Sequence, residues 1–365
     1  MKVGIIGLPE VGKTSLFNAL TRSHAATHAY GSRKEELNLG SVVVPDARFD
    51  FAVQVCQPKK ATPATLEVSD GGARIEIEEK REKFGTDFFS GVRNMDALAL
   101  VLRAFRSPVL PEPPGGIDPC RDAVKVNEEL LLADLAVIET RLDRLEKNRL
   151  MKRMTSSEAV EQQTLEKIRA HLEALKPVRT LELTADEEKS VRSFAFVSGK
   201  PLILVANIGE DDLAGGSPET QGLRAYAVEN HLPLIELCAK VEMECSEMEP
   251  EEEREFLQAM GISEPARDRL IRAAYDALGY ISFFTVGSDE VRAWTIRRGT
   301  NALGAAEKIH TEIARTFIRA EVIPFEDFQA ASGWDEARHA GKMRLEGKEY
   351  VVKDGDIVHI RNSKG

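Results

Sequence analysis

The residues of this chain best suited to chemistry stand near its start, in "GLPEVGKTS" from Gly7 to Ser15. Gly7, Gly12, Lys13 and Thr14 follow the pattern G-x-x-x-x-G-K-[ST]. Backbone N–H groups in such a loop wrap phosphate oxygens, and glycines permit the close approach. Lys13 would bring an ammonium to the β and γ phosphates, and Thr14 a hydroxyl to Mg2+. From Lys13 the text "KTSLFNAL" reads as a helix whose positive end faces the same anion. Glu10 is discordant. A carboxylate inside an anion loop costs affinity by repulsion unless it turns outward or meets a cation. Gly7, Glu10, Val11, Gly12, Lys13, Thr14 and Ser15 are the candidate phosphate-binding residues, with Lys13 also the candidate catalytic cation.

A second candidate group lies in "VANIGEDDL", after the apolar run 201–207. Nucleotide pockets of α/β sheets often read the base from such a loop at the carboxyl edge. Guanine readers use N-K-x-D there; this chain has Asn207, Ile208, Gly209 and Glu210. Asn207 could offer its amide to a purine edge, or could merely end a strand. The lysine is absent and the acid, Glu210, is one carbon longer. A carboxylate gains little from adenine's unprotonated ring nitrogen, so the spacing leaves ATP and GTP both open. After the next apolar run, Cys238, Ala239 and Lys240 would lay their backbone over the base.

The elements that must position these groups alternate. Short apolar runs at 2–6, 65–69, 97–105, 201–207 and 232–240 read as buried parallel strands with helical patterns between them, which predicts a doubly wound α/β domain. One segment breaks the rhythm. Leu131, Leu135, Ile138, Leu142 and Leu145 recur at helical steps, as do Leu165, Ile168, Leu172 and Leu175, and "KRMTSSEA" joins the two stripes. That predicts an inserted antiparallel helical hairpin over 125–189, dividing a nucleotide-binding domain into 1–124 and 190–278. From 279 to 365 the texture is strand, strand, helix, strands, with the helix expected over "NALGAAEKIHTEIARTF" and strands within "KMRLEGKEYVVKDGDIVHIR".

Bulk properties narrow the function classes. The 365 residues carry a net charge of −11, which argues against global attraction to nucleic acid. The four cysteines form no C-x-x-C pair, and the seven histidines lack ligand spacing, so a metal cluster is not expected. No signal peptide and no membrane-spanning run is read, which makes a soluble cytoplasmic protein, monomeric by default and without a membrane partner, the expectation. Locally, "RLEKNRLMKR" sets Arg144, Lys147, Arg149, Lys152 and Arg153 against one acid near the hairpin tip. Such a run suits RNA phosphates, though it equally suits a solvated helix face. From Ile281 onward acids and bases balance.

Taken together, these motifs resemble the Obg-like ATPase family, also called YchF, among the translation-factor-related P-loop NTPases. The resemblance covers nearly the whole chain: the phosphate loop, N-x-x-E, the hairpin, "DRLIRAAYDALGY", "FIRAEVI" and "RLEGKEYVVKDGD". It implies an α/β P-loop G domain with the inserted hairpin and a C-terminal ubiquitin-like (β-grasp, TGS) domain. It also implies binding of ATP, GTP or both with Mg2+, slow hydrolysis, and association with the ribosome or ribosomal RNA through the hairpin tip and TGS domain. Asp70 stands where the family's second switch carries the acid of the Mg2+ shell, so the resemblance adds it as a catalytic and metal residue beside Thr14. The chain departs from the family at four places. Glu10 replaces an asparagine that related NTPases link to a potassium ion. Lys34 stands where a threonine senses magnesium, with Ser32 out of register. Ala73 replaces a glycine whose N–H senses the γ-phosphate, and Arg74 replaces a hydrophobic residue. Arg74 reads first as a solvent-facing arginine and second as a charge stabiliser in cis. A slow hydrolase and a nucleotide-binding module without turnover are therefore both consistent with the sequence.

Overall fold

The computed structural model describes residues 1–22, 38–70, 75–78, 81–84, 86–262 and 264–363. Lys34, Ser32, Ala73 and Arg74 lie outside them. The chain divides into two compact units: Met1–Gly40 with Glu67–Leu270, and Ser41–Leu66 with Ile271–Gly365.

A six-stranded sheet organises the first unit, in the order Asn38–Val43, Thr65–Asp70, Lys2–Ile6, Ala97–Ala104, Leu202–Ile208, Leu234–Leu237. From Thr65–Asp70 to Leu234–Leu237 every neighbouring pair is parallel. Ala97–Ala104 and Leu202–Ile208 are buried at every position, as strands in the middle of a parallel sheet must be. Leu98, Leu100 and Leu102 share a core with Val126 and Leu130 of the long helix Pro119–Leu150 and Leu223 of the helix Gln221–Glu229. Leu234–Leu237 is shorter than the apolar run 232–240 suggests, because Cys238 already caps the helix Ala239–Ser246.

The helix Pro119–Leu150 starts on Asp118, whose carboxylate accepts from the Arg121 N–H, with proline in the first turn. The helix Ser156–Glu173 starts on a capping box between Thr155 and Glu158. Leu131, Ile138 and Leu145 of the first bury against Leu165, Ile168 and Leu172 of the second. Arg141 grips both oxygens of Glu161 at 2.6 and 3.0 Å, while Asn148, further along, donates to the earlier Glu158 at 3.0 Å. The two helices therefore run antiparallel.

In the second unit the sheet order is Arg344–Glu346, Phe317–Ile323, Ile357–Asn362, Tyr280–Thr285, Glu290–Arg297, Lys60–Thr62. Phe283, Ile296, Phe317, Val322 and Val358 form its core with Ala302, Ala305 and Ala306 of the helix Ala302–Ile309. The single helix expected over 301–317 is broken. His310 is extended (φ −165°), and its Nδ1 accepts from the Glu312 N–H to start a second piece, Thr311–Arg315. Between Arg344–Glu346 and Ile357–Asn362 the expected strand text forms only a bridge from Val351 to Asn301. Among the described residues no helix is long and apolar enough to cross a membrane.

Candidate functional site

The phosphate loop rises from the Lys2–Ile6 strand at Gly7. A Cβ there would stand 2.4 Å from the Val101 carbonyl oxygen, at φ +150°, so only glycine lets the chain turn against the neighbouring strand. Glu10 sits at φ +60° and is exposed, which leaves its carboxylate in solvent, where repulsion of an anion is screened. Val11 is buried. Gly12 precedes the helix Lys13–Thr21 without a side-chain cap, so the first-turn N–H groups and the positive helix end converge on the loop. Ser15 is half-buried in that first turn.

Lys13 and Thr14 are engaged within the fold. Lys13 Nζ donates to the Leu8 carbonyl at 2.7 Å, across its own loop. Thr14 Oγ1 donates to Asp70 Oδ2 at 2.9 Å, joining the start of the helix to the end of the Thr65–Asp70 strand. Asp70 is buried. A hydroxyl and a carboxylate that touch across the loop are the oxygen donors a hard dication uses. Among the described residues no larger group of histidine, cysteine or acidic side chains could hold a metal.

Asn207 has a role its spacing does not reveal. Buried at the end of the Leu202–Ile208 strand, it donates from Nδ2 to the Val11 carbonyl at 2.9 Å and accepts on Oδ1 from the Ala239 N–H at 2.9 Å. One carboxamide thus clasps the phosphate loop to the segment at Cys238, Ala239 and Lys240. Gly12 makes room for it: a Cβ there would lie 2.3 Å from Asn207 Nδ2, at φ +96°. Ile208 and Cys238 are buried, and burial pushes the Cys238 thiol up. Glu210 and Lys240 are both exposed and pair at 3.1 Å, and the hydrogen bond that Lys240 donates to Glu210 raises the Lys240 ammonium. So the two charges expected beside a base meet each other, at a modest gain for an exposed pair.

Arg103 went unread in the sequence, although a lone charge in an apolar strand is a signal. Its Cα is in register with Asn207. Buried, it lies 5.0 Å from the Phe105 ring centre and donates to the carbonyls of Phe105 and Pro111 at 3.2 and 2.9 Å, holding the segment after the strand.

Comparison with known proteins finds relatives along nearly the whole chain. A family model described as "50S ribosome-binding GTPase" matches residues 2–112. The YchF-GTPase C-terminal model, described as "Protein of unknown function (DUF933)", matches residues 280–363. The "Ribosome-binding ATPase YchF" of Bacillus subtilis is 39% identical over 363 residues, covering 99% of each chain. "Obg-like ATPase 1" of Gallus gallus is 34% identical over 378 residues, covering 99% of this chain and 92% of its own. The solved structure of the Schizosaccharomyces pombe YchF GTPase superposes with a TM-score of 0.86 at 32% identity, covering 99% of this chain and 97% of its own.

Proposed function

The chain belongs to the YchF family, and from that premise we propose that it binds ATP or GTP with Mg2+, hydrolyses it slowly and acts as a ribosome-associated regulator of translation or stress. The observation that carries this reading is the Thr14–Asp70 contact at the mouth of the Gly7–Thr14 loop. In this reading Thr14 and Asp70 hold the magnesium shell, which neutralises charge on the β and γ phosphates. Lys13 exchanges the Leu8 carbonyl for phosphate oxygens. Backbone N–H groups from Gly7 to Ser15 cradle the triphosphate tail. Asn207, Ile208 and Glu210, with the backbone of Cys238, Ala239 and Lys240, frame the purine.

Two further parts belong to the same reading. Residues 125–189 serve as an inserted coiled-coil hairpin whose basic tip meets RNA. Arg144, Lys147, Arg149, Lys152 and Arg153 stand there, with the exposed Leu150 and Met151 between them. Residues 279–365 serve as a TGS-like β-grasp domain, and the whole works as a cytoplasmic monomer. Replacing the five tip residues with glutamine is expected to weaken ribosome cosedimentation, and unchanged cosedimentation would count against the tip.

The second reading is a nucleotide-binding module without turnover, favoured by Glu10 inside the loop and by Lys34, Ala73 and Arg74 in the switch positions. Titration with Mg-ATP and Mg-GTP, reading affinity and phosphate release together with Lys13→Ala as control, separates the two. Binding with no release above the control removes the hydrolase. No binding of either nucleotide removes both readings.

A further inference from the structure

In the second unit, two strands set like charges face to face. The antiparallel pair Phe317–Ile323 and Ile357–Asn362 places Arg319 directly opposite Arg361 and Glu321 directly opposite His359. All four side chains share one face of the sheet, because successive residues alternate. Directly opposed side chains start about 5 Å apart, and like charges there are destabilising. Glu321 relieves only one of them. Buried in the sheet, its carboxylate forms an ion pair with Arg361 and accepts from His359 Nδ1, the latter at 2.9 Å. Arg319 is exposed and makes no ion pair among the described residues. Its guanidinium rests by the Gly347 turn, where a Cβ would come within 3.3 Å of Nη1. The ring of Trp334 meets that of His359 edge-on, with centroids 6.3 Å apart. Leu345, opposite Glu321, is 57% exposed.

An opposed arginine pair costs stability, and an anion bridging the two would relieve that cost. We propose that this face is an RNA-binding surface, on which Arg319 and Arg361 together take a backbone phosphate and the Trp334 and His359 rings receive an adjoining base. Glu321 acts as a positioning residue: it fixes the Arg361 fork and the His359 ring while their remaining donors face solvent. A guanidinium pair matches phosphate oxygens, and flanking rings match unstacked bases, which single-stranded RNA supplies and an acidic protein surface does not. The proposal deepens the ribosome-associated reading above and rests on it for RNA as the working partner.

The test titrates the full chain against a fluorescein-labelled single-stranded RNA dodecamer at several KCl concentrations. Arg319→Gln is expected to raise Kd about 5- to 10-fold at low salt and to flatten the salt dependence by about one ion. Arg319→Glu should lose more, yet its thermal midpoint should match or exceed the parent's, because glutamate gives Arg361 an opposite charge. Loss of RNA binding in a fold no less stable supports a binding role. Unchanged Kd and salt dependence in both variants overturns the proposal. If the glutamine-substituted hairpin tip loses RNA while the Arg319 variants keep it, this surface is rejected and the tip reading stands. If the parent protein leaves the RNA free even at low salt, both RNA readings fall, and the Mg-nucleotide titration still judges the nucleotide site.

Discussion

The Asn207 amide closes on the Val11 carbonyl at 2.9 Å, and its oxygen takes the Ala239 N–H at the same distance. Three parts of the chain distant in sequence are thereby fixed to one carboxamide. Asn207→Asp removes the donor and sets a carboxylate against the Val11 oxygen. It is expected to cost about 1–3 kcal/mol of stability and to weaken nucleotide affinity. Urea denaturation beside calorimetric titration checks both; a variant as stable as the parent would show that the clasp contributes little.

Gly12→Ala tests the same clasp from the other side. The added methyl would meet Asn207 Nδ2 at 2.3 Å, in a backbone conformation L residues rarely adopt. Strain at such a position is worth about 1–3 kcal/mol. Loss of nucleotide binding should accompany a lowered thermal midpoint. By contrast, substitution at the exposed Glu10 should leave the midpoint near that of the parent.

Thr14→Val keeps the volume of the side chain and deletes the hydroxyl that donates to Asp70. Nucleotide affinity measured with Mg2+ and with EDTA should then converge, since the parent's gain from the ion is lost. A variant retaining the full magnesium effect would take Thr14 out of the metal shell.

Cysteine chemistry gives a pH prediction. Cys245 is fully buried, and burial pushes its thiol up from 9.0 to about 11. Within that window the fold keeps a proton that the unfolded chain has released. Stability therefore falls as pH rises from about 9 towards 11, and this group adds no slope below it. Thermal midpoints across pH 8–11 should show the decline, reduced in Cys245→Val. Near neutral pH a thiol reagent should modify the half-buried Cys56 and Cys120 in the native protein and reach Cys238 and Cys245 only on unfolding.

What the sequence discloses follows how local each signal is. The Gly7–Thr14 pattern and the all-apolar strands are contiguous text, and the leucine steps on both sides of residue 155 mark two helices before any contact is seen. Residues whose role depends on distant partners stay hidden. Asn207 reads as a base contact, because nothing beside it in the chain reports that Val11 and Ala239 will arrive. The three-residue strand Lys60–Thr62 has no periodicity of its own and is defined only by its parallel pairing with Glu290, Val291 and Arg292. His310 breaks an otherwise regular helical pattern because its ring caps the next turn, a choice decided by one hydrogen bond.

That short strand belongs to a stretch, 41–66, that folds with residues 271–365. Phe51 packs edge-on against Phe325 and Phe328, and Phe49 lies 6.4 Å from Phe284. During synthesis these early aromatics emerge roughly 230–280 residues before their partners. At 5–20 residues per second that is a wait of about 12–55 s with apolar surface uncovered. The second unit thus cannot mature until residues 271–365 are made, and a chain stalled before them leaves a sticky stretch within 41–66.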